Sequence, residues 1–402
     1  MLPDGWHRTT LGEIARITSG GTPDRSEPSY WGGSVPWVTT GEIQFNTITD
    51  TAEKITEAGL ANSSAKLFPP GTLLVAMYGQ GKTRGQVAKL AIEASTNQNS
   101  AAILLNEGHD PDFYFHFLSW KYDEIRDFGH SGGVSHLNAG ILKQIAVPIA
   151  PAKEQQRIAQ ILSAWDEAIE LAGRLATNAK MAMCAMIEQT VLRGVRKGMW
   201  PMCHLSDIAT RVQRSEIVEP DLPVLMISSG IGFVRQDEKY SRFMAGKSVE
   251  NYIALEEGEF AYNKGNSKRY EFGCVFPLKG LPKGLVPHVY VCFRLNEGHH
   301  PGFFEHLFAA DFLHDQLGAL VNTGVRNNGL LNIRPADFMA CKVPVPPSDE
   351  QQAIAARLAV AAEWVRRSDE YAARIREEKA ALLAELLTGK RRVRLSSTEA
   401  VS

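Results

Sequence analysis

Two long stretches of the chain repeat their apolar positions every three or four residues. In the first, apolar or small residues fall at Ile158, Leu162, Trp165, Ile169, Ala172, Ala176, Ala179, Met183 and Met186. In the second they fall at Ile354, Leu358, Ala361, Val365, Ser368, Ala372, Ile375, Lys379, Leu382 and Leu386. Steps alternating between four and three form a heptad seam, the stripe along which helices pair. Pro151 and Pro347 open the predicted helices, and Gly194 and Gly389 stand where they should stop. Each helix would hold about 40 residues and span about 60 Å. Lys379 and Ser368 are the weak points of the second seam.

Outside these runs the period shortens. Gly71 to Met77 and Ala101 to Leu105 are short apolar runs bounded by Gly, Asn and Ser, which predicts buried strands. Phe113 to Phe128 has helical spacing behind Asp110-Pro111-Asp112, a capping region. His288 to Phe293 reads as a strand, and Phe303 to Leu320 as a helix. Each globular part is therefore mixed α/β.

The halves are copies. Glu154-Gln155-Gln156 returns as Glu350-Gln351-Gln352, 196 residues later, the separation of Ile158 from Ile354. Trp6 with Leu11 to Ala15 returns as Trp200 with Leu205 to Ala209, offset by 194. Leu105-Asn106-Glu107-Gly108-His109 returns as Leu295-Asn296-Glu297-Gly298-His299, offset by 190. The drifting offset places insertions and deletions in loops of the globular parts. The expected partition is 1–150 and 199–346 for the globular domains, 151–198 and 347–390 for the helices, and a tail at 391–402. Two readings of the helices stand: each packs on its own domain, or the two pair with one another. The long seam favours antiparallel pairing, through Ile158, Leu162, Trp165 and Ile169 of the first helix and Ile354, Leu358, Val365 and Ile375 of the second, with an internal pseudo-two-fold axis.

Composition narrows the class. The chain has 402 residues, a 44% apolar content and a net charge of −2. Five scattered cysteines contain no C-x-x-C pair, which opposes zinc and disulfide frameworks and suits a reducing cytoplasm. No apolar run reaches membrane-spanning length, and the first residues lack the pattern of a signal peptide. The near-neutral charge does not itself point to nucleic acid.

The arrangement resembles the specificity subunit of type I restriction–modification enzymes. The resemblance covers essentially the whole chain. It rests on Leu2-Pro3-Asp4-Gly5-Trp6 with Leu11-Gly12-Glu13-Ile14, on Ser19-Gly20-Gly21-Thr22-Pro23 with Tyr30-Trp31-Gly32-Gly33 and Val35-Pro36-Trp37-Val38, on the two Val-Pro-x-x-Pro…Glu-Gln-Gln helix starts, and on Leu386-Leu387-Thr388-Gly389-Lys390. It implies an α+β, mixed fold: two α/β target-recognition domains separated by two long antiparallel coiled-coil helices. It also implies a non-catalytic, cytoplasmic subunit that binds double-stranded DNA. The implied partners are two modification (methyltransferase) subunits and restriction/motor subunits. S-adenosylmethionine, ATP and Mg2+ would bind to those partners and no cofactor to this chain. Two different half-sites around a fixed gap would follow from the pseudo-symmetry, since half-sites on one face of B-DNA lie about 34–36 Å apart. A coiled-coil protein-binding scaffold without DNA specificity remains the alternative.

The resemblance supplies no base-contacting residue, so those come from chemistry. After a strand in the first half, Tyr78-Gly79-Gln80-Gly81-Lys82-Thr83-Arg84 forms a glycine-rich polar loop, read as DNA-facing or as a plain surface loop. Thr39, Thr40, Glu42 and the run Thr96 to Asn99, with Asn97, are second candidates, for which capping and turn roles stand equally. The second half offers Asn263, Lys264, Asn266, Ser267, Lys268 and Arg269, and then Arg326 and Asn327 in a loop corresponding to Gly129 to Gly133. Asn suits adenine and Arg suits guanine in the major groove. Catalytic motifs fail: Ala76 stands where a Walker A loop needs Gly, and no H-E-x-x-H spacing is present. Asp221 with Asp237-Glu238-Lys239 is only a short nuclease-like pattern. Neither catalytic nor metal-ligating residues are expected.

Overall fold

Strands beside each helix start, short enough to escape the periodicity, tie the two ends of each globular part together. The Val-Pro runs are themselves strands: Ala146–Ile149 pairs antiparallel with His7–Thr10, and Lys342–Pro344 with Met202–His204. The computed structural model describes residues 2–79, 81–128, 136–214, 222–239, 251–321 and 331–394. They fall into two compact units, 1–173 with 371–402, and 174–370. This division cuts both long helices, so each unit holds one globular part and a stretch of each helix.

In the first unit a five-stranded sheet runs in the order Ala15–Ser19, Ser100–Leu105, Leu73–Ala76, Val87–Leu90, Asn46–Ile48. The last pair is parallel and the others antiparallel. Successive side chains of a strand point to opposite faces. Leu73 and Val75 accordingly join a core with Phe113, Phe117, Ile158 and Leu162, while Leu74 and Ala76 join another with Ile43 and Phe68. Burial on both faces explains the unbroken apolar run. The predicted helix at 113–128 is two helices, Pro111–Trp120 and Tyr122–Phe128, and Asp110 caps the first by accepting from the Phe113 N–H at 2.9 Å.

The second unit repeats the plan with a four-stranded sheet, Ala209–Arg211, Val291–Leu295, Phe260–Asn263, Cys274–Pro277. The strand expected from His288 starts later, because a turn closes from Pro287 O to Tyr290 N. The helix expected over 303–320 is divided into Pro301–Ala309 and His314–Leu320. Asp311 sits between them at φ +54°, a left-handed conformation that no helix continues through.

The long helices are Ala152–Ile187, with 36 residues, and Ser348–Leu387, with 40. Every seam position is buried or half-buried. Within the first unit, Ile158 and Leu162 share a core with Leu386 and Leu387, and Ala172, with Trp165 and Ile169 beside it, packs with Ala372 and Ile375. Asp166 pairs with Lys379. Within the second unit, Ile354 and Leu358 share a core flanked by Met183 and Met186, and Lys180 pairs with Asp369 at 2.8 Å. Numbers rise on one helix as they fall on the other, so the pairing inside each unit is antiparallel. The seam's weak points are both accommodated: Lys379 is neutralised by Asp166, and Ser368 is buried. Val365 is half-buried.

Gly194 does not stop the first helix. A π-helical turn at Glu188–Leu192 leads into a further helical turn, Arg193–Arg196, and the chain reverses at Gly198, φ +60°. A Cβ at Gly194 would run into the Trp200 ring, so this glycine serves close packing. Gly389, φ +71°, does follow the end of the second helix and lies against Pro3.

Candidate nucleic-acid interface

In the first unit the register Ala76↔Ser100 and Val75↔Val87 brings three strand ends to one edge of the sheet. The loops at 77–86 and 97–99 therefore emerge together. They are joined by hydrogen bonds from Met77 N to Asn99 O, 2.9 Å, and from Gly85 N to Ala76 O, 2.8 Å. Asn97 Oδ1 organises the rim: it accepts from Thr40 Oγ1 at 3.0 Å, Asn99 N at 2.9 Å and Ser100 Oγ at 3.2 Å. Thr40 and Asn97, 57 residues apart in sequence, are thus adjacent. Thr39 belongs to a capping box, in which Glu42 Oε2 accepts from its N–H and its hydroxyl at 2.7 Å each.

Tyr78 is exposed and stacks on His136, ring centroids 4.8 Å apart and 11° from parallel. Lys82 and Thr83 stand on the return of the loop, and the Lys82 carbonyl accepts from Tyr122 Oη. Arg84 is only 6% exposed, so its guanidinium belongs to the base of the loop. Gly79 and Gly81 have φ of +140° and +70°, which a larger residue would adopt with strain. Gln80 lies outside the described residues.

In the second unit the strand Phe260–Asn263 runs into the Asn- and Lys-rich loop. Asn263 Oδ1 accepts from Gly265 N at 3.0 Å, and Ser267 Oγ accepts from Tyr270 N at 3.1 Å, so both residues shape turns. Asn266, Lys268 and Arg269 are exposed, and Lys264 is half-buried. Arg269 leans over the Tyr270 ring at 5.4 Å, and burial raises the Tyr270 hydroxyl pKa. The Lys264 carbonyl accepts from Leu331 N, as the Met77 carbonyl accepts from Leu137 N, both at 3.0 Å. Each loop is therefore stapled to the repeated Leu-Asn marker that follows it in sequence. Arg326, Asn327, the Gly129 to Gly133 loop and Asp221 lie outside the described residues. Asp237 pairs with Arg235 at 2.8 Å.

Sequence reasoning missed His136, the partner of Tyr78, and the link from Thr22 to Gln98, which brings the Ser19-Gly20-Gly21-Thr22 motif to the same rim. The position of His136, just before Leu137-Asn138, was the available signal for it. Among the described residues no group of three or more His, Cys, Asp or Glu side chains could hold a metal ion.

Two comparisons of sequence and one of structure bear on this arrangement. The family model described as type I restriction modification DNA specificity domain matches residues 3–179. The specificity subunit of the type I restriction enzyme MjaIX of Methanocaldococcus jannaschii is 27% identical over 177 residues, 42% of this chain and 40% of that protein. The matched stretch thus spans well under half of that relative. The MjaVIII specificity subunit of the same organism is 21% identical over 422 aligned positions, 98% of this chain and 94% of that protein. The crystal structure of the type I restriction–modification S subunit of M. genitalium shares the fold, with a TM-score of 0.59, 14% identity, and 96% and 98% of the two chains covered.

Two α/β parts and two long helices within one chain are the fold shared with that S subunit. Over residues 3–179 the chain is similar to the type I restriction modification DNA specificity domains.

Proposed function

We propose that the chain recognises a bipartite DNA target, each globular part reading one of two half-sites across a gap of fixed length. The observation that carries this reading is the duplicated polar rim. In each unit one sheet edge gathers exposed polar side chains, Tyr78 and Lys82 in the first and Asn266, Lys268 and Arg269 in the second, on loops stapled to the same marker. Such groups read base edges in the major groove, where Asn discriminates adenine and Arg guanine. The loops differ between halves, so the half-sites differ. Domain limits of 1–150 and 199–346 follow from this reading.

The long helices dock two modification subunits, with restriction/motor subunits joining for cleavage. Support comes from apolar side chains left outside the seam. Leu171 and Tyr371 are 61% and 55% exposed, and in the first unit a cleft of about 640 Å³ is lined by Ile161, Ala164, Trp165, Ala168, Tyr371 and Ile375. Exposed apolar surface of this kind marks protein contact. S-adenosylmethionine, ATP and Mg2+ are assigned to those partners. No helix among the described residues is long and apolar enough to cross a membrane.

Mapping methylated sites in a host that carries this subunit tests the reading. The expected result is one motif of two unequal half-sites with a constant gap, and binding lost when the gap changes by one base pair. Binding indifferent to the gap would favour a scaffold.

A further inference from the structure

Asn97 stands on the rim of the first unit with one end of its amide engaged and the other open. Its Oδ1 faces three donors, Thr40 Oγ1 at 3.0 Å, Asn99 N at 2.9 Å and Ser100 Oγ at 3.2 Å. A backbone N–H only donates, so the amide atom that meets Asn99 N is the oxygen; a flipped amide would set donor against donor. An amide oxygen accepts through two lone pairs. Thr40 Oγ1 and Ser100 Oγ lie 3.3 Å apart. Where one of these hydroxyls turns to the other, the second hydroxyl and the Asn99 N–H still fill both lone pairs. Asn97 is half-buried, and its Nδ2 is neither buried nor hydrogen-bonded among the described residues. The side chain therefore offers two N–H donors to its surroundings and no acceptor. Its neighbours are arranged alike: Gln98 is exposed, with its Oε1 accepting from Thr22, and Glu42 Oε1 accepts from Ala52 N at 2.9 Å while Oε2 caps Thr39. Three side-chain acceptors of this rim, on Glu42, Asn97 and Gln98, are thus occupied by protein donors.

Base edges in the major groove differ in what they offer such a group. Asparagine reads adenine by donating to N7 while its own oxygen accepts from the N6 amino group. That pairing needs the oxygen, and in Asn97 the oxygen is held by the turn. Releasing it to a base would leave a protein donor unpaired, which costs free energy. Guanine presents N7 and O6, two adjacent acceptors, and asks for donors only. Thymine presents one acceptor beside a methyl group, and cytosine presents a donor. Two donors without an acceptor therefore match guanine.

We infer that Asn97 is a specificity-determining residue that donates its Nδ2 hydrogens to N7 and O6 of a guanine in the half-site read by the first unit. The assignment reverses the adenine preference that asparagine ordinarily carries. It rests on the DNA-recognition reading above.

Asn97→Asp tests this, because a carboxylate keeps an oxygen for Thr40, Asn99 N and Ser100 and replaces only the outward amino group by an acceptor. Full-length wild type and variant are each expressed with the modification subunits, and the methylated sites of the cells are sequenced. Circular dichroism of the purified chains verifies the fold. The expected result is a motif altered at one G·C pair of one half-site, with the other half-site and the gap unchanged. An alteration at an A·T pair overturns the guanine assignment and leaves DNA recognition standing. A uniform fall in methylation with an unaltered motif, which charge repulsion alone would give, overturns it as well. A second measurement changes the DNA instead of the protein. Guanines of that half-site are replaced one at a time by 7-deazaguanine, which lacks the N7 acceptor, and duplex binding by the wild-type complex is titrated. Binding should weaken about fivefold or more at one position, the low end for a base contact. Equal binding at every position overturns the inference whether or not the variant folds. Motif and binding untouched by both Asn97→Asp and Tyr78→Ala would remove the DNA-recognition reading of this rim together with the inference.

Discussion

The indole Nε1 of Trp6 donates to Glu154 Oε2 at 3.2 Å, across 148 residues of sequence. Trp200 does the same to Glu350 at 3.0 Å. The next residue completes the device: Gln155 Oε1 accepts from Asp110 N at 2.9 Å, and Gln351 Oε1 from His300 N at 2.8 Å. Both glutamine amides also donate back to the carbonyl five residues earlier, Ala150 at 2.7 Å and Pro346 at 2.8 Å. The Glu-Gln marker is therefore a fastening of each long helix to the start of its globular part and to its helix-capping turn. Glu154 carries an additional load, since Arg392 beyond the second helix also holds it, with Nε at 3.0 Å.

Replacing Glu154 by Ala should destabilise the first unit by about 1–3 kcal/mol, because a buried indole N–H loses its acceptor. Glu350→Ala should cost less, since Glu350 is half-buried where Glu154 is 5% exposed. Urea midpoints of the two variants check the order.

Stability should fall in mild acid. His116, packed against Ser163 with Asp166 nearby, is held neutral, its pKa lowered to about 4 chiefly by burial, with Asp166 opposing. A histidine free in the unfolded chain titrates near 6.5. The unfolded state therefore binds more protons below that value, and the contribution, complete above about pH 6.5, is lost as pH falls toward 4. His306, also lowered by burial, acts in the same direction in the second unit. Denaturant midpoints between pH 7 and 4 should drop more steeply in the wild type than in His116→Gln.

Changing Asn266 and Arg269 to Ala should relax one half-site and leave the other intact. A bidentate base contact is worth about 1–3 kcal/mol of discrimination. Tyr78→Ala with Asn97→Ala should relax the opposite half-site. Sequencing the methylated sites of cells carrying each variant reads the effect, and both half-sites changing together would contradict modular recognition.

Ala164→Glu, at the mouth of the cleft between the long helices, should abolish co-purification with modification subunits. The melting temperature of the chain alone should stay within a degree or two, because Ala164 is exposed. A large drop in melting temperature would mean that the position serves folding.

Much of the architecture was legible in the sequence. A seam repeated in phase with the Glu-Gln-Gln marker gave both long helices, because helical period and capping are local properties. Burial on two faces marked the strand at 73–76. Boundaries were less legible: Gly194 reads as a stop, yet the helix continues past it, because the glycine was required by the approach of Trp200. The same holds for Asp311, whose left-handed backbone divides a run that is apolar throughout.

The candidate site divides in the same way. Composition singled out Asn97, Thr40, Tyr78 and the loop at 263–269, since glycine-rich polar segments after strands are local signals. Which of them meet was decided by strand register, a long-range property. The pairing Ala76↔Ser100 set Asn97 beside Thr40, used Thr39 as a cap and put His136 under Tyr78. The sequence by itself determined the duplicated plan, the helices and the strand types, because each depends on residues a few positions apart. Only the tertiary structure decided that Trp6 meets Glu154, that Arg84 is turned inward, and that Arg211 and Arg294 of two neighbouring strands line one pocket with Arg214. Each of these depends on chain segments that pack together only once the sheet has formed.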